Sequence, residues 1–237
     1  MLRVSTQIHK WLALVVGVQV LGWVVGGLVM TAIPIERVRS EHHIAKPRLE
    51  PLPADGLVGH QAAAAALGMT PVEASLKSTL RGPVWVLKDL DGEAHVADAR
   101  TGRPVVALPP GEARRVATAQ YSGEGKVVAA RWFAQPPQEA GKPGPLWAVD
   151  FDDAEKTRFY VSPETGEVVS RRSDVWRLYD AFWRIHILDF KDGENFNHPL
   201  IIAAAALTLP MVVTGMILLW IRLARDLAGL RRRASRG

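Results

Sequence analysis

Residues 11–35 read WLALVVGVQVLGWVVGGLVMTAIPI and residues 199–221 read PLIIAAAALTLPMVVTGMILLWI, runs of 25 and 23 residues without a charged side chain. A helix needs about 20 apolar residues to cross a hydrocarbon core of roughly 30 Å, so each run is long enough to span a bilayer. Pro210 would break a soluble helix but is tolerated in a membrane helix. The first run exceeds the roughly 7–15 apolar residues of a secretory leader, and no A-x-A cleavage site follows it, so it reads as a retained anchor.

Working outward from these runs, the charge falls into place. The chain has 237 residues, no cysteine and a formal net charge of +5, with a pI near 9.7. Residues 1–35 carry Arg3 and Lys10 and no acid; residues 222–237 carry six arginines against Asp226; the long middle has a net charge of −2. The excess charge therefore sits beside the apolar runs, which argues against a nucleic-acid-binding domain and for a topology signal. By the positive-inside rule both termini are cytoplasmic and residues 36–198 lie outside, which in a bacterial inner membrane means the periplasm. Without cysteine there are no disulfides, thiolate metal sites, iron–sulfur clusters or covalent haem.

The expected fold is a pair of membrane helices plus an α+β region. The chain reads as a cytoplasmic N-terminus (1–10), a first span (11–35), a linker (36–53), two modules (54–108 and 109–173), an amphipathic interfacial helix (174–190), a second span (199–221) and a basic tail (222–237). Each module reads as a helix followed by an antiparallel meander. An alanine-rich helix at 54–67 precedes strands at 79–90 and 93–106, and a helix after Pro109-Pro110 precedes strands at 126–133 and 145–162. Trp85 and Trp147 lie 62 residues apart, and the Thr-Gly pairs at 101 and 165 lie 64 apart, the signature of a repeat. One larger α+β domain is the alternative. Residues 135–145 (QPPQEAGKPGP) read as an inserted loop.

Four short motifs, in order, resemble those of the PepSY-associated transmembrane family: Ile8-His9-Lys10-Trp11-Leu12, then Ser162-Pro163-Glu164-Thr165-Gly166-Glu167-Val168, then Trp183-Arg184-Ile185-His186, then Thr214-Gly215-Met216-Ile217-Leu218-Leu219-Trp220. The resemblance covers most of the chain. It implies tandem PepSY-like modules in the periplasm between membrane helices. Larger members are inner-membrane reductases of ferric siderophores that carry haem on membrane histidines; they commonly have four spans, against two here. The resemblance makes haem b the cofactor to expect, with His9, His186 and His198 as candidate ligands. It implies a haem-linked electron-transfer or accessory role in siderophore-iron uptake, and, if the chain is enzymatic, a haem-dependent oxidoreductase subunit. PepSY modules also occur in protease propeptides, so a non-enzymatic, membrane-anchored binding or regulatory module is the alternative.

The histidine positions constrain the haem reading. At 1.5 Å per residue the two edges of a span are about 30 Å apart, so His9, at the cytoplasmic edge, cannot share a haem with His186 or His198 at the outer edge. His186 and His198 share one only if residues 189–197 fold back; otherwise a homodimer or a membrane partner subunit supplies the second ligand. Gly22-x-x-x-Gly26, beside Gly27, permits close helix approach. His42-His43 reads as solvated loop, since adjacent histidines chelate poorly, and Asp150, Asp152 and Asp153 read as a strand-end turn. His60 and His95 read as surface residues. Gln19 is the one amide deep in the first span. Trp11, Trp220 and the aromatic residues of 176–183 suit an interfacial belt, and the bilayer is the partner the sequence implies most directly.

Overall fold

A computed structural model describes every residue except Met1, residues 46–48, 192, 194, 196 and 235–237, and does not describe the side chains at positions 2–6, 8–10, 12, 218 and 229–234. The chain divides into a helical unit, Met1–Ile33 with Leu178–Gly237, and a β-rich unit, Pro34–Arg177.

The helical unit contains α1 (Leu2–Ala32), most of α5 (Asp174–Ile187) and α6 (Pro199–Ala234). Helix α1 stops short of the apolar run because Pro34 has no N–H to extend it. Helix α6 passes through Pro210 and continues into the basic segment as far as Ala234. The stretches Ala13–Ala32 and Pro199–Ala228 have mean hydropathies of 2.1 and 2.3, yet only 11% and 0% of them is buried. Leu14, Val18, Leu21 and Leu28 on α1, and Ile202, Leu209, Met216 and Trp220 on α6, are all more than half exposed. An apolar surface of that extent on two long helices is what lipid covers, and water does not stabilise it. The protein is membrane-associated.

Helix α5 lies against the glycine face of α1. A Cβ on Gly22 would meet Ile185 Cγ2 at 3.6 Å, and one on Gly26 would meet the Phe182 carbonyl oxygen at 3.6 Å. Trp23 Nε1 donates to the His186 carbonyl at 2.8 Å. The Gly22/Gly26 pair thus serves a close approach within the same chain. Beyond α5, Leu188 turns the backbone with φ +56°. The buried Asp189 then accepts N–H bonds from Lys191 and Asn195, folding the connection to α6.

In the β-rich unit, α3 (His60–Leu67) is followed by the antiparallel meander β1 (Glu73–Thr79), β2 (Gly82–Lys88), β3 (Ala94–Asp98). Helix α4 (Pro110–Gln120) is followed by β4 (Val127–Phe133), β5 (Leu146–Phe151), β6 (Arg158–Val161), β7 (Val168–Arg172), again in sequential antiparallel order. Two expectations need correction. Helix α3 begins at His60 instead of 54, because Gly56 takes φ +73° and Gly59 is the extended residue that opens the helix. After Thr101-Gly102 the chain makes only an isolated bridge, Ala97 to Pro104, and no full strand.

The same hydrogen bonds recur in both halves. Trp85 Nε1 donates to Val58 O and Trp147 Nε1 to Leu108 O, both at 2.9 Å. Val58 and Leu108 each sit two residues before their helix. Val58 N–H donates to Ala99 O, and Leu108 N–H to Pro163 O. Gly102 donates to Asp98 O and Gly166 to Ser162 O, with φ of +70° and +72°. Only glycine takes that conformation without a Cβ penalty, which accounts for the Thr-Gly pairs 64 residues apart. In each half the tryptophan therefore ties the second strand to the helix entry.

Period-2 alternation sorts β5 into two faces. Trp147, Val149 and Phe151 pack with Phe159 and Val161 against Ala113 and Ala117 of α4. Leu146 and Ala148 pack with Tyr160 on the other face, under Ala140. Ala140 belongs to a 3-10 turn, Gln138–Ala140, in the segment expected to be a plain inserted loop. Glu139 of that turn accepts from the Tyr160 hydroxyl and Arg158, both at 2.7 Å, and from Arg177 at 3.3 Å. Burial alone would raise its pKa; the Tyr160 hydroxyl and the two guanidinium groups outweigh burial and hold it below the usual carboxylate range.

Candidate functional site

Of the histidines expected to hold haem, His186 lies on α5 and His198 immediately precedes α6. The side chain of His9 lies outside the described residues. His198 Nδ1 accepts the Leu200 N–H at 3.3 Å, so its ring caps the first turn of α6. His186 packs against α1, its ring 6.4 Å from that of Trp23. Its Nδ1 is enclosed with no hydrogen-bond partner among the described residues. A bis-histidine haem needs two nitrogens open to ligation, and His186 Nδ1 is one such nitrogen.

The dyad read as solvated loop lines a cleft. The cleft has a volume of about 870 Å³ and belongs to the β-rich unit. Its first wall is α2 (Ile35–Val38) and the 3-10 turn Glu41–His43 that follows. Ser40, buried and in the left-handed region at φ +51°, sets the direction of that turn. The turn is pinned to the end of α4: Ser122 N–H donates to His43 O, Ser122 Oγ to His42 O and Ala45 N–H to Gln120 O, with a bridge between Ile44 and Tyr121. The opposite wall is the β5–β6 connection, where Asp153 Oδ1 takes the Thr157 N–H and Oδ2 the Thr157 hydroxyl, both at 2.6 Å. Asp152 and Asp153 are thus turn-formers, as expected, whereas Asp150 is an ion-pair residue within β5, bonded to Arg131 and Arg158.

These two walls converge on one point. His42 Nε2 and His43 Nε2 lie 3.6 and 3.7 Å from Glu155 Oε2, and His43 Nε2 lies 3.4 Å from Asp153 Oδ2. The two imidazoles lie with centroids 3.9 Å apart and planes tilted by 41°. Glu155 Oε1 is taken by the Arg37 guanidinium, which leaves Oε2 aimed at the histidines. Both nitrogens of His43 and Oε2 of Glu155 are enclosed without a hydrogen-bond partner among the described residues. Burial first, then the adjacent His42, hold His43 below the ordinary histidine pKa, against the pull of Asp153 and Glu155. Neutral imidazole is the form that offers a lone pair. Five carboxylates line the cleft (Glu36, Glu124, Asp152, Asp153 and Glu155) against one guanidinium, Arg37, so its field favours a cation.

The core holds this wall in place. Tyr121 stacks on His43 at 5.7 Å and on Phe151 at 3.9 Å, and meets Phe159 edge-on. The loop Gly123–Gly125 passes close above: a Cβ on Gly123 would fall 2.3 Å from Tyr121 Oη and 2.8 Å from His43 Nδ1, and one on Gly125 2.7 Å from Asp153 N. Burial, with Asp153 nearby, pushes the Tyr121 hydroxyl up to about 12 against the favourable Gly125 N–H. Burial and Glu139 push Tyr160 to about 12 as well. Both hydroxyls hold their protons more tightly folded than unfolded. The stability they supply is therefore complete below about pH 10 and lost as the pH rises toward 12. A titration of phenolate absorbance should show two late tyrosines whose ionisation coincides with alkaline unfolding, and phenylalanine at either position should remove one of them.

A second group, Asp89, Glu93 and His95, has similar composition. It is explained by a hairpin turn: Asp89 Oδ1 takes the Asp91 and Glu93 N–H groups, and Oδ2 contacts His95 at 3.0 Å.

Two apolar helices enclosing, in sequence, a pair of helix-plus-meander elements define a membrane-anchored α+β protein. The chain belongs to the family described as the PepSY-associated TM region, whose model matches residues 6–237. No curated protein and no solved structure matches it.

Proposed function

We propose that this protein is a membrane-anchored binding module whose working site is the anionic cleft of the β-rich unit and whose ligand is a cation. The observation that carries this reading is the convergence of His42, His43 and Glu155, from segments over 110 residues apart in sequence, with both His43 nitrogens and Glu155 Oε2 enclosed and without hydrogen-bond partners among the described residues. Enclosed polar atoms without partners are costly, and a cationic ligand supplies what they lack. The recurring tryptophan and Thr-Gly hydrogen bonds support two tandem modules of the PepSY kind, the second of which carries the cleft. The basic residues flanking both spans support an inner-membrane placement with both termini cytoplasmic and residues 36–198 in the periplasm. The haem-linked reading of siderophore-iron reduction rests on the family resemblance alone, whereas the cleft reading rests on side chains that converge within the chain.

Thermal unfolding of the full chain in lipid nanodiscs tests the reading with a panel of Zn²⁺, spermidine, phosphate and citrate. A ligand that binds only the folded state at a hundred times its Kd adds about 2.7 kcal/mol. Cations should therefore raise the unfolding temperature and anions should not; stabilisation by citrate alone would overturn the reading. Because the chain has no cysteine, single cysteines report topology cleanly. Glu124→Cys should react with an impermeant maleimide in spheroplasts, and Asp226→Cys should react only after the membrane is opened. Protein made with ample haem should show no Soret band.

A further inference from the structure

The cleft reading leaves the chemical class of the cation open. Resting on that reading, we infer that His42, His43 and Glu155 form a divalent transition-metal site, with Asp153 at its edge. Three separate observations converge on this.

The first is spacing. The three ligand atoms all lie within 4.8 Å of one another, and the two measured histidine-to-carboxylate separations are 3.6 and 3.7 Å. These are too long for hydrogen bonds. A tetrahedral ion bound at about 2.0–2.2 Å by nitrogen and oxygen sets its ligands roughly 3.3–3.6 Å apart. Both histidine-to-carboxylate separations are within a few tenths of an ångström of that range.

The second is orphaned chemistry. His43 Nε2 and Glu155 Oε2 are enclosed and unpaired, although a direct bond between them would need only a small shift. Arg37 occupies the other oxygen of Glu155, which fixes the carboxylate so that one lone pair faces the imidazoles.

The third is rigidity. His43 is clamped by Tyr121, and both histidine carbonyls are taken by Ser122, so the pair is preorganised before any ion arrives. The 3-10 turn carries the two consecutive side chains to the same carboxylate, which an extended segment would not do.

Two imidazoles and one carboxylate suit Zn²⁺, Co²⁺, Ni²⁺ or Cu²⁺ better than Ca²⁺ or Mg²⁺, which prefer all-oxygen sets. Three protein ligands at the wall of an open cleft leave the fourth position for water, for Asp153 or for a ligand atom of an incoming molecule.

The test uses the full chain, free of any polyhistidine tag, in lipid nanodiscs. Co²⁺ is titrated and followed by its d–d absorption, then displaced by Zn²⁺. One Co²⁺ per chain with the strong absorption of a tetrahedral ion is expected. Glu155→Gln and His43→Ala should each weaken binding at least about tenfold, and His95→Ala, at the hairpin turn, should leave it unchanged. Circular dichroism and the unfolding temperature of Glu155→Gln, which keeps the side chain's shape, separate lost ligation from lost folding. Absence of stoichiometric Co²⁺ binding, or equal binding by wild type and Glu155→Gln, overturns the metal site. Spermidine binding that is weakened by Glu155→Gln, with no Co²⁺ binding, overturns the metal site and leaves the cation-binding reading standing. Binding of neither overturns both.

Discussion

Replacing Phe159 with alanine is expected to lower the stability of the β-rich unit by about 3–5 kcal/mol. Phe159 is fully buried, meets Phe151 edge-on at 5.1 Å and Tyr121 at 5.7 Å, and lies in the cluster that joins α4 to its sheet. The loss combines the transfer free energy of the ring with a cavity that α4 and β5 cannot collapse into, because both are tied down by Trp147 and Gln120. Gln120 donates to Gly166 O and accepts from the Val168 N–H, so the helix cannot slide toward the sheet. Part of the loss should appear at the cleft, since Tyr121, which clamps His43, rests on the same cluster. Denaturant unfolding of the full chain reads the stability change. Co²⁺ affinity measured below the unfolding transition should fall with it, whereas Phe133→Ala, on the other sheet face, should destabilise without touching the cleft.

The second large effect is expected in the helical unit. Gly26→Leu should displace α5 from α1 and lower the stability of that pairing by about 3 kcal/mol, at the upper end for overpacking. The Phe182 carbonyl stands 3.6 Å, and His186 Nδ1 3.9 Å, from where a Cβ would sit. Gly26→Ala fits at ordinary van der Waals distance and should be nearly silent, but the branched side chain of leucine has nowhere to go without parting the helices. The bond from Trp23 to the His186 carbonyl would be lost in the same event. Trp23 fluorescence is crowded by seven other tryptophans. The direct readout is therefore a cross-link between Gly22→Cys and Ile185→Cys, efficient alone and lost when Gly26→Leu is added.

Much of this was legible in the sequence because it rests on local pattern. Two uncharged runs announce two long helices, and alternation in VVAARWF and LWAVDF announces β4 and β5. The spacing of Trp85 to Trp147 and of the Thr-Gly pairs anticipates the recurrent hydrogen bonds. Strand β1 was missed because EASLKST carries no apolar alternation; it is an edge strand, largely exposed, and its order comes from pairing with β2. The start of α3 was placed too early because alanine propensity hid the two glycines ahead of it. The cleft was invisible for a different reason. Adjacent histidines point apart in an extended loop, and only the left-handed Ser40 and the turn after it bring both rings to one side. Their carboxylate partner lies over 110 residues away in a connection whose acids look like ordinary turn-formers. The glycine pair of α1 was read correctly as a site of close approach; that its partner is α5 rests on a contact between segments far apart in sequence, which no local pattern announces.

The most direct measurement of the central claim is calorimetric titration of spermidine into the full chain in nanodiscs, wild type against Glu155→Gln, at low and high salt. The anionic cleft predicts saturable binding that weakens as salt is raised and falls at least about tenfold in the variant, where Arg37 loses its ion-pair partner and one lining charge is gone. Equal affinity in wild type and variant, or no saturable binding of spermidine together with no binding of Co²⁺, would contradict it.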